Sequence, residues 1–504
     1  MARTFHLPDL NLRHIAWVVV AYAGLVAAIW PRRTYDLWWH LATGKFIIDT
    51  GEIPHADPFT WTRAGAHWIA HEWGWEIPLY LLYNTWGFDG LLVLRGAIGL
   101  LCALLLVWLC MKRGATPLAV MATGVLVIYA ARPLFNDRPQ VASMPLFLAM
   151  LCLIDAADRG RPKWLLAAPL LMVLWVNLHG GFVYGIGLLG LYALCRVPEW
   201  FMRYRAGEKI GPTPAFLGAG IILSLAACLV NPNGVEGAIY PLGYVFGDHS
   251  WHKSFITEYA SPDFSQEIFL WLGALIVLST AAFAASGHRS RLWDVALTAV
   301  FLYSVLKWQR NTALYAFALA PVLAMHLSDL LGRMNVGGLE DADRERGPAA
   351  LYWAIVLTLV IAAGLAFPPA MRRAPEAFRT DLPVECVQWA KDNDLQGRMY
   401  NTYRWGGYLI WEMWPQQRVF VDGRADVMGR ELIQDWQKAH KMNEGWTEAL
   451  YDYEIDWAIV SISSPLVRGL ELHPQWRVAC EEPTAKLFVR VGSVADTADG
   501  PTDN

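Results

Sequence analysis

His14-Ile-Ala-Trp-Val-Val-Val-Ala-Tyr-Ala-Gly-Leu-Val-Ala-Ala-Ile-Trp-Pro31 runs straight into Arg32-Arg-Thr-Tyr-Asp-Leu-Trp-Trp-His40. The first stretch is apolar and close to the length of about 20 residues that carries a helix across a bilayer. A cleaved leader would end at a small-residue site. This run ends in Trp-Pro-Arg-Arg, with only Ala27-Ala28 resembling such a site, so it reads as a retained first span. The second stretch places an acidic residue, Asp36, just beyond that span.

Working outward, further apolar runs stand at 89–111, 115–132, 140–157, 163–177, 181–197, 212–230, 267–287, 292–307, 311–332 and 350–369, which with 14–31 makes eleven. Composition agrees. Apolar residues make up 55% of the chain and charged residues 17%, against about a quarter charged in soluble domains. The 26 tryptophans suit membrane–water interfaces. A net charge of −4 and the lack of any nucleic-acid-binding signature exclude DNA or RNA as partner. The segment 72–86 is short and contains Glu76 and Pro78, so we read it as an amphipathic segment lying in the interface rather than as a span.

Cytoplasmic loops retain Lys and Arg. With the N-terminus inside, the inner loops hold Lys112-Arg113, then Arg159, Arg161 and Lys163, then Arg196, Arg203, Arg205 and Lys209. Arg289 and Arg291 follow, and then Arg333, Arg344 and Arg346. The expected topology is therefore N-in and C-out, with outward loops at 32–88, 132–140, 177–181, 231–266 and 307–311. Residues 1–370 form the transmembrane domain. Residues 371–491 read as an external α/β domain, with a helix at 382–392, short strands at 418–421 and 457–461, and a helix at 431–442 between them. Residues 492–504 read as a disordered tail. The fold class expected is a polytopic α-helical membrane protein of about eleven spans with a C-terminal soluble α/β domain.

Five of the seven cysteines lie in apolar runs, where Cys acts as a small hydrophobe. Cys386 and Cys480 lie in the polar C-terminal region and can pair if that region is exported.

The first outward loop holds Thr34-Tyr-Asp-Leu-Trp-Trp-His40, Gly51-Glu-Ile-Pro-His-Ala-Asp-Pro-Phe59 and His67-Trp-Ile-Ala-His-Glu-Trp73. Asp36 and His40 share one face if helical. A carboxylate at a membrane boundary, walled by Trp38 and Trp39, can serve as a general base. Equally, Asp36 can cap a helix while the tryptophans anchor it. His67 and His71, with Asp57 or Glu72, offer a loose divalent-metal set, although the order is not that of a zincin; interfacial histidines are more often structural. Arg138, in Asn136-Asp-Arg-Pro139, and Arg310, beside Lys307, suit phosphate recognition by the guanidinium fork at headgroup depth. Their plain alternatives are pairing with an acid or snorkelling. Asn177, His179 and the glycines at 180–181 form a polar kink facing a cavity or another helix. Asn231-Pro-Asn-Gly234 is a turn signal, and Trp251-His252 and Glu258-Tyr259 can line a substrate groove. Asn401-Thr-Tyr-Arg-Trp-Gly-Gly-Tyr408 and Val421-Asp-Gly-Arg-Ala-Asp426 are Gly-punctuated loops suited to sugar or headgroup contacts, or to structural turns with an Asp–Arg pair.

This arrangement resembles the GT-C superfamily of membrane glycosyltransferases, in particular the bacterial branch related to protein mannosyltransferases and ArnT-like enzymes. What carries the resemblance is an inward N-terminus, an acidic residue opening a long first external loop, many further spans and an external C-terminal domain. The segments Asp-Leu-Trp-Trp-His, Ile-Pro-His-Ala-Asp-Pro, His-Glu-Trp, Trp405-Gly-Gly-Tyr and Val-Asp-Gly-Arg add to it. The Asp-x-Asp or Glu-x-Asp pair of many members is replaced here by Asp36-Leu37-Trp38.

The resemblance implies a polyprenyl-phosphate-linked sugar as donor, a lipid, glycan or protein acceptor, and Asp36 as the base on the acceptor. His40, Asp57, His71, Glu72, Arg138, His179 and Arg310 are expected to bind substrate. No obligatory cofactor is implied, a divalent metal remains an option, and the location is the bacterial cytoplasmic membrane. The alternative is a non-catalytic GT-C-like scaffold or lipid-binding subunit beside a membrane protein partner. Transport ranks last, because most spans lack deep ionisable residues.

Overall fold

The computed structural model describes residues 9–30, 32–246, 251, 256–334 and 349–497. His252, the linker from 335 to 348 and the tail from 498 lie outside the described residues. The chain divides into two compact units. One contains the chain up to Arg32, then Phe88–Leu242 and 256–373; the other contains Arg33–Gly87, the described residues of 243–251 and the chain from Ala374. The first long loop thus folds with the C-terminal domain and not with the spans.

In the first unit every expected apolar run becomes helix. Among the described residues, eight helices are long and apolar enough to cross a membrane: Leu12–Ile29, Phe88–Lys112, Pro117–Leu134, Pro139–Asp158, Phe182–Arg205, Glu267–Ala285, Gln309–Arg333 and Ala350–Arg379. Pro162–Leu178, Thr213–Ala227 and Leu292–Lys307 are shorter helices. The protein is a multi-pass membrane protein.

One end of this bundle is tied by ions. Arg113 reaches Asp155 at 2.8 Å and Asp294 at 2.7 Å. Arg159 holds Asp155 at 2.7 Å, and Arg291 holds Asp294 at 2.9 Å and also Asp158. Asp158 further accepts the Tyr192 hydroxyl at 2.9 Å. Ser328 Oγ accepts the Thr116 N–H at the same end, at 2.9 Å. Helix ends brought together in this way fix the path. Asp158, the end of one long helix, meets Arg196, in the second half of Phe182–Arg205, at 3.6 Å, so the intervening Pro162–Leu178 runs to the far end before Phe182–Arg205 returns. Leu292–Lys307 starts at this end and Gln309–Arg333 returns to it, so the shorter Leu292–Lys307 also traverses the bundle. At the far end Arg373 lies 5.1 Å over the Trp30 ring. The last helix therefore finishes beside the close of the first.

Two glycines set the tightest crossing. A Cβ on Gly99 would sit 2.3 Å from Gly24 O, and one on Gly24 would sit 2.4 Å from Gly99 O. Only glycine lets the backbones of Leu12–Ile29 and Phe88–Lys112 approach in this way.

The second unit is built on a four-stranded sheet of order β1-β2-β4-β3: β1 Met399–Asn401, β2 Trp457–Ser461, β3 Trp476–Glu481 and β4 Ala485–Arg490. β1 and β2 are parallel, with Met399 opposite Trp457, and need the helical crossover that Gly406–Met413, Ala425–His440 and Trp446–Asp452 supply. β2–β4 and β4–β3 are antiparallel. The segment 418–421, expected as a strand, instead makes one parallel bridge, from Val419 to Thr60. It is spent on the first loop rather than on the sheet. A disulfide joins Cys386, in the helix Val384–Asp392, to Cys480 in β3. Residues expected in the disordered tail are ordered as far as Thr497: Val494–Thr497 is a 3-10 turn, with Asp496 held by Arg477 at 2.8 Å.

Candidate functional site

Asp36 occupies the N-cap position of the helix Leu37–Thr50, yet its side chain makes no capping bond to the first turn. The capping role weighed for it is therefore not the one it performs. Gly51, at φ 72°, ends the helix in the left-handed region that glycine tolerates. Asp36 and His40 do share a helical turn, through the His40 N–H to Asp36 O bond at 3.2 Å.

Two glycines bring the C-terminal segments against this turn, and a third packs those segments on each other. A Cβ on Gly423 would lie 2.6 Å from Asp36 Oδ1 and 3.2 Å from Trp39 Nε1. One on Gly407 would lie 3.0 Å from Trp39 N, and one on Gly406 would lie 2.2 Å from Val421 O. The Trp405-Gly-Gly-Tyr and Val-Asp-Gly-Arg segments thus surround Asp36 by close backbone approach. Tyr408 meets Trp38 edge-on at 5.3 Å. Trp39 Nε1 is buried without a hydrogen-bond partner.

His40 turns inward. Its Nδ1 lies 3.0 Å from Glu76 Oε1, and both side chains are almost wholly buried. Gly44 makes this possible: a Cβ there would sit 2.2 Å from Glu76 O, so the helices Leu37–Thr50 and Trp73–Trp86 close together. Burial, reinforced by the charge of Glu72, raises the Glu76 carboxyl well above its ordinary range, against a smaller opposing pull from Arg424.

Asp57 is also interior. It turns its own loop, accepting the Phe59 N–H at 3.0 Å and the Thr60 N–H at 3.2 Å. It also receives Arg424 Nη2 at 2.7 Å. Arg424 forks onto Asp422 at 2.6 and 3.0 Å and lies 4.5 Å over the Trp68 ring. The Asp–Arg turn weighed for this segment is what forms. His67 lies in an extended bridge to Ala56, not in a helix with His71. His71 Nδ1 lies 3.2 Å from Ile69 O, and its Nε2 lies 3.6 Å from Glu72. Among the described residues no group of three or more His, Cys, Asp or Glu is arranged to hold a metal ion. Asp57 is taken by Arg424, and His67 does not share a helix with His71.

In the first unit, Arg138 pairs with Glu258. Arg310 lies 4.7 Å over the Tyr259 ring. Burial pushes the Glu258 carboxyl up, but Arg138 and Arg310 together bring it below its usual value. The sequence reading joined Glu258-Tyr259 to a groove; the structure joins them to both expected phosphate cations. His179 Nδ1 accepts the Gly181 N–H at 3.0 Å and lies 2.8 Å from Ser143 Oγ, which itself accepts Trp175 Nε1–H at 2.7 Å. Asn177 is spent on the Val173 and Val230 carbonyls, both at 2.8 Å. An apolar cavity of about 780 Å³ opens among Met121, Leu126, Trp271, Leu278, Ala285 and Leu323.

Sequence reasoning missed Glu76 as the partner of His40 and Gly423 as the neighbour of Asp36. A signal existed for Glu76: it is an acid inside an otherwise apolar helical stretch.

No protein-family model matches the chain, and no curated protein sequence does. Solved structures do. The oligosaccharyltransferase AglB from Archaeoglobus fulgidus, in complex with an inhibitory peptide and a dolichol-phosphate, superposes with TM-score 0.61 at 10% identity, over 89% of this chain and 69% of that one. Its apo form gives 0.58 at the same identity and coverage. ArnT from Cupriavidus metallidurans, bound to undecaprenyl phosphate, covers 97% and 99% of the two chains at 15% identity with TM-score 0.46. The chain shares its fold with the oligosaccharyltransferase AglB.

Proposed function

We propose that this chain is a glycosyltransferase that takes a sugar from a polyprenyl-phosphate carrier and passes it to a hydroxyl of a lipid, glycan or protein acceptor. The carrying observation is the convergence on Asp36 of sequence segments hundreds of residues apart, through glycines that serve close approach and nothing else visible. AglB, of the same fold, binds dolichol-phosphate and a peptide, which favours a lipid phosphate over a nucleotide carrier. The apolar cavity in the first unit suits a prenyl chain.

In this reading the acceptor oxygen attacks the anomeric carbon while the bond from that carbon to the phosphate oxygen breaks. The electron pair leaves with the lipid phosphate, and Asp36 takes the hydroxyl proton; the anomeric centre inverts. Arg138 and Arg310 offset phosphate charge, with Glu258 tempering them. His71, Glu72 and His179 are the remaining candidates for substrate contact, whereas His40 and Asp57 act as supports through Glu76 and Arg424. In this reading the N-terminus is cytoplasmic and the second unit lies outside the cytoplasmic membrane, which the Lys and Arg pattern favours, and the Cys386–Cys480 disulfide suits an oxidising compartment.

The test is complementation. A deletion strain receives the wild-type or the Asp36→Asn chain, and envelope glycans are profiled by mass spectrometry. The variant is expected to lose the product by about 10²–10⁴-fold at equal levels of folded protein. An unchanged glycan profile would overturn the reading. It would favour the non-catalytic scaffold, towards which one observation leans: Asp57 and Glu76 are committed to Arg424 and His40.

A further inference from the structure

In the second unit, β1 and β2 run parallel and end side by side. Thr402 N donates to Ile459 O at 3.1 Å, and Ser461 N donates to Thr402 Oγ at 3.0 Å, so the pairing carries on past β1. Tyr403-Arg404 after one strand and Ile462-Ser463 after the other thus stand at the carboxyl ends of neighbouring parallel strands, where open α/β sheets hold ligands. Arg404 Nη2 donates to Ser461 Oγ at 3.2 Å, and Ser461 Oγ lies 2.9 Å from Ser463 Oγ. Arg404 is half-buried and Ser463 exposed, so the group opens outward at the serine. The other contacts of the guanidinium are rings, Tyr35 at 5.6 Å and Trp405 at 5.9 Å. Among the described residues no carboxylate pairs with it, and its Nε is buried without a hydrogen-bond partner. Arg33, 5.3 Å over the same Tyr35 ring, makes the contrast: it is answered by Asp381. The charge of Arg404 is felt close by. Ser464, whose N–H reaches Ser461 O at 2.8 Å, holds His440 Nδ1 at 3.1 Å, and that imidazole is pushed down to about 4 by burial first, then by Arg404 and Lys441. A guanidinium keeps its proton at working pH, and a cation partly out of water is costly until an anion answers it.

Arg404 also stands at the candidate site. Tyr35 directly precedes Asp36. Gly407, three residues after Arg404, brings this segment onto it, since a Cβ there would lie 3.2 Å from Tyr35 O. We propose that Arg404, with Ser461 and Ser463, binds an oxyanion, a carboxylate or a phosphate, that the acceptor carries close to its reacting hydroxyl. The assignment to the acceptor rests on the transfer reading with Asp36 as base; the anion site itself does not. An oxyanion fits because its oxygens match the guanidinium fork. Ser461 accepts from Arg404 and one serine donates to the other, so one of the two hydroxyl protons remains for a further lone pair of the ligand. The acceptor fits better than the lipid carrier. The cations assigned to the carrier phosphate, Arg138 and Arg310, belong to the first unit and share Glu258, whereas Arg404, its serines and Asp36 all belong to the second. Arg404 thereby selects acidic acceptors over neutral ones.

The experiment uses the full chain in detergent and saturation-transfer NMR with three probes: methyl glucuronoside for a carboxylate, glucose 6-phosphate for a phosphate and methyl glucoside for neither. At least one anionic probe is expected to bind, and the neutral one to bind about tenfold more weakly. Arg404→Gln should lower affinity for the anionic probe about tenfold, the share of one charge-assisted contact. Arg404→Lys keeps the charge without the fork and should recover part of that loss. Arg398→Gln removes a cation that Glu454 already answers and should change nothing. An arginine that merely stacks on Tyr35 would leave probe binding alike in all three variants. Ser461→Ala takes away a hydroxyl but not the cation and should show a smaller loss, with thermal midpoints from Trp fluorescence reporting that each variant is folded. Equal binding of anionic and neutral probes by wild type, or undiminished anion binding in both Arg404→Gln and Ser461→Ala, overturns the site. The acceptor is read separately, from the glycan that Asp36→Asn fails to make: its acceptor part should bear a carboxylate or phosphate, and a neutral acceptor overturns the assignment. A glycan profile unchanged by Asp36→Asn would remove the transfer reading and the acceptor role with it, while Arg404-dependent probe binding would still uphold the anion site.

Discussion

Asp36 and Glu76 belong to the same helical pair, yet their surroundings separate their chemistry. Asp36 is half-buried at a helix start, while Glu76 is sealed against His40. Folding favours the protonated form of Glu76, since burial raises its carboxyl well above the unfolded value of about 4.3. The stability from this group is therefore complete below about pH 4 and is lost as pH rises through the raised folded value. Glu76→Gln, which mimics the protonated acid, should flatten that part of the profile: its thermal midpoint should fall less than that of wild type as pH is raised from 4. Parallel midpoint curves for the two proteins would remove this account. Glu76→Ala should cost about 1–3 kcal/mol, because His40 loses a buried partner. Asp36 was legible in the sequence because it stands directly after a span. The inward turn of His40 was not, because it depends on Gly44 allowing a second helix within contact, which no local pattern reveals.

Helices of the bundle were legible as apolar runs, because lipid demands hydrocarbon at nearly every exposed position and so leaves a continuous signal. The hairpin β3–β4 left none: six-residue strands with mixed burial resemble loops, and only β2, buried at every residue, stood out. The alliance of the first loop with the C-terminal unit was equally silent, since contacts between residues more than 350 apart, such as Arg424 with Asp57, impose no period on either segment. Glycines are where that alliance can be tested. Gly423→Ala drives a methyl into the Asp36 carboxylate and should lower transfer activity more than it lowers stability, by about 1–3 kcal/mol. Gly406→Ala meets the rigid backbone at Val421 O and should unfold the second unit outright or nearly so. Gly187→Ala has open space around the new methyl and should leave midpoint and activity unchanged. Glycan profiling and Trp fluorescence on the three variants separate these outcomes. Equal behaviour of Gly423→Ala and Gly187→Ala would remove Gly423 from the site.

The count of traverses decides on which side the second unit lies. Eight membrane-length helices alone would return the chain to the side on which it began; the three shorter ones change the parity. The ion-tied end fixes two of those three, because Asp158 meets Arg196 of Phe182–Arg205 there and Leu292–Lys307 begins there with Arg291 and Asp294; Glu267–Ala285 must then end there too, so Thr213–Ala227 also crosses. Several arginines that marked the inner loops are thus paired with acids, but orientation follows Lys and Arg count rather than net charge, so the pairing leaves the expectation standing. With the N-terminus in the cytoplasm, an odd number of crossings exports the second unit. Alkaline phosphatase fused after Thr497 should then be active and green fluorescent protein fused there dark, with the reverse pattern for fusions after Met334. Cys386 and Cys480 should resist alkylation in intact cells until reductant is added, whereas a cytoplasmic unit would expose both thiols. The closed loop spans 94 residues, so Cys480→Ser should cost about 2–5 kcal/mol. That loss should appear in non-reducing buffer and vanish against a reduced wild type, since the only difference between the two proteins is then one unlinked sulfur.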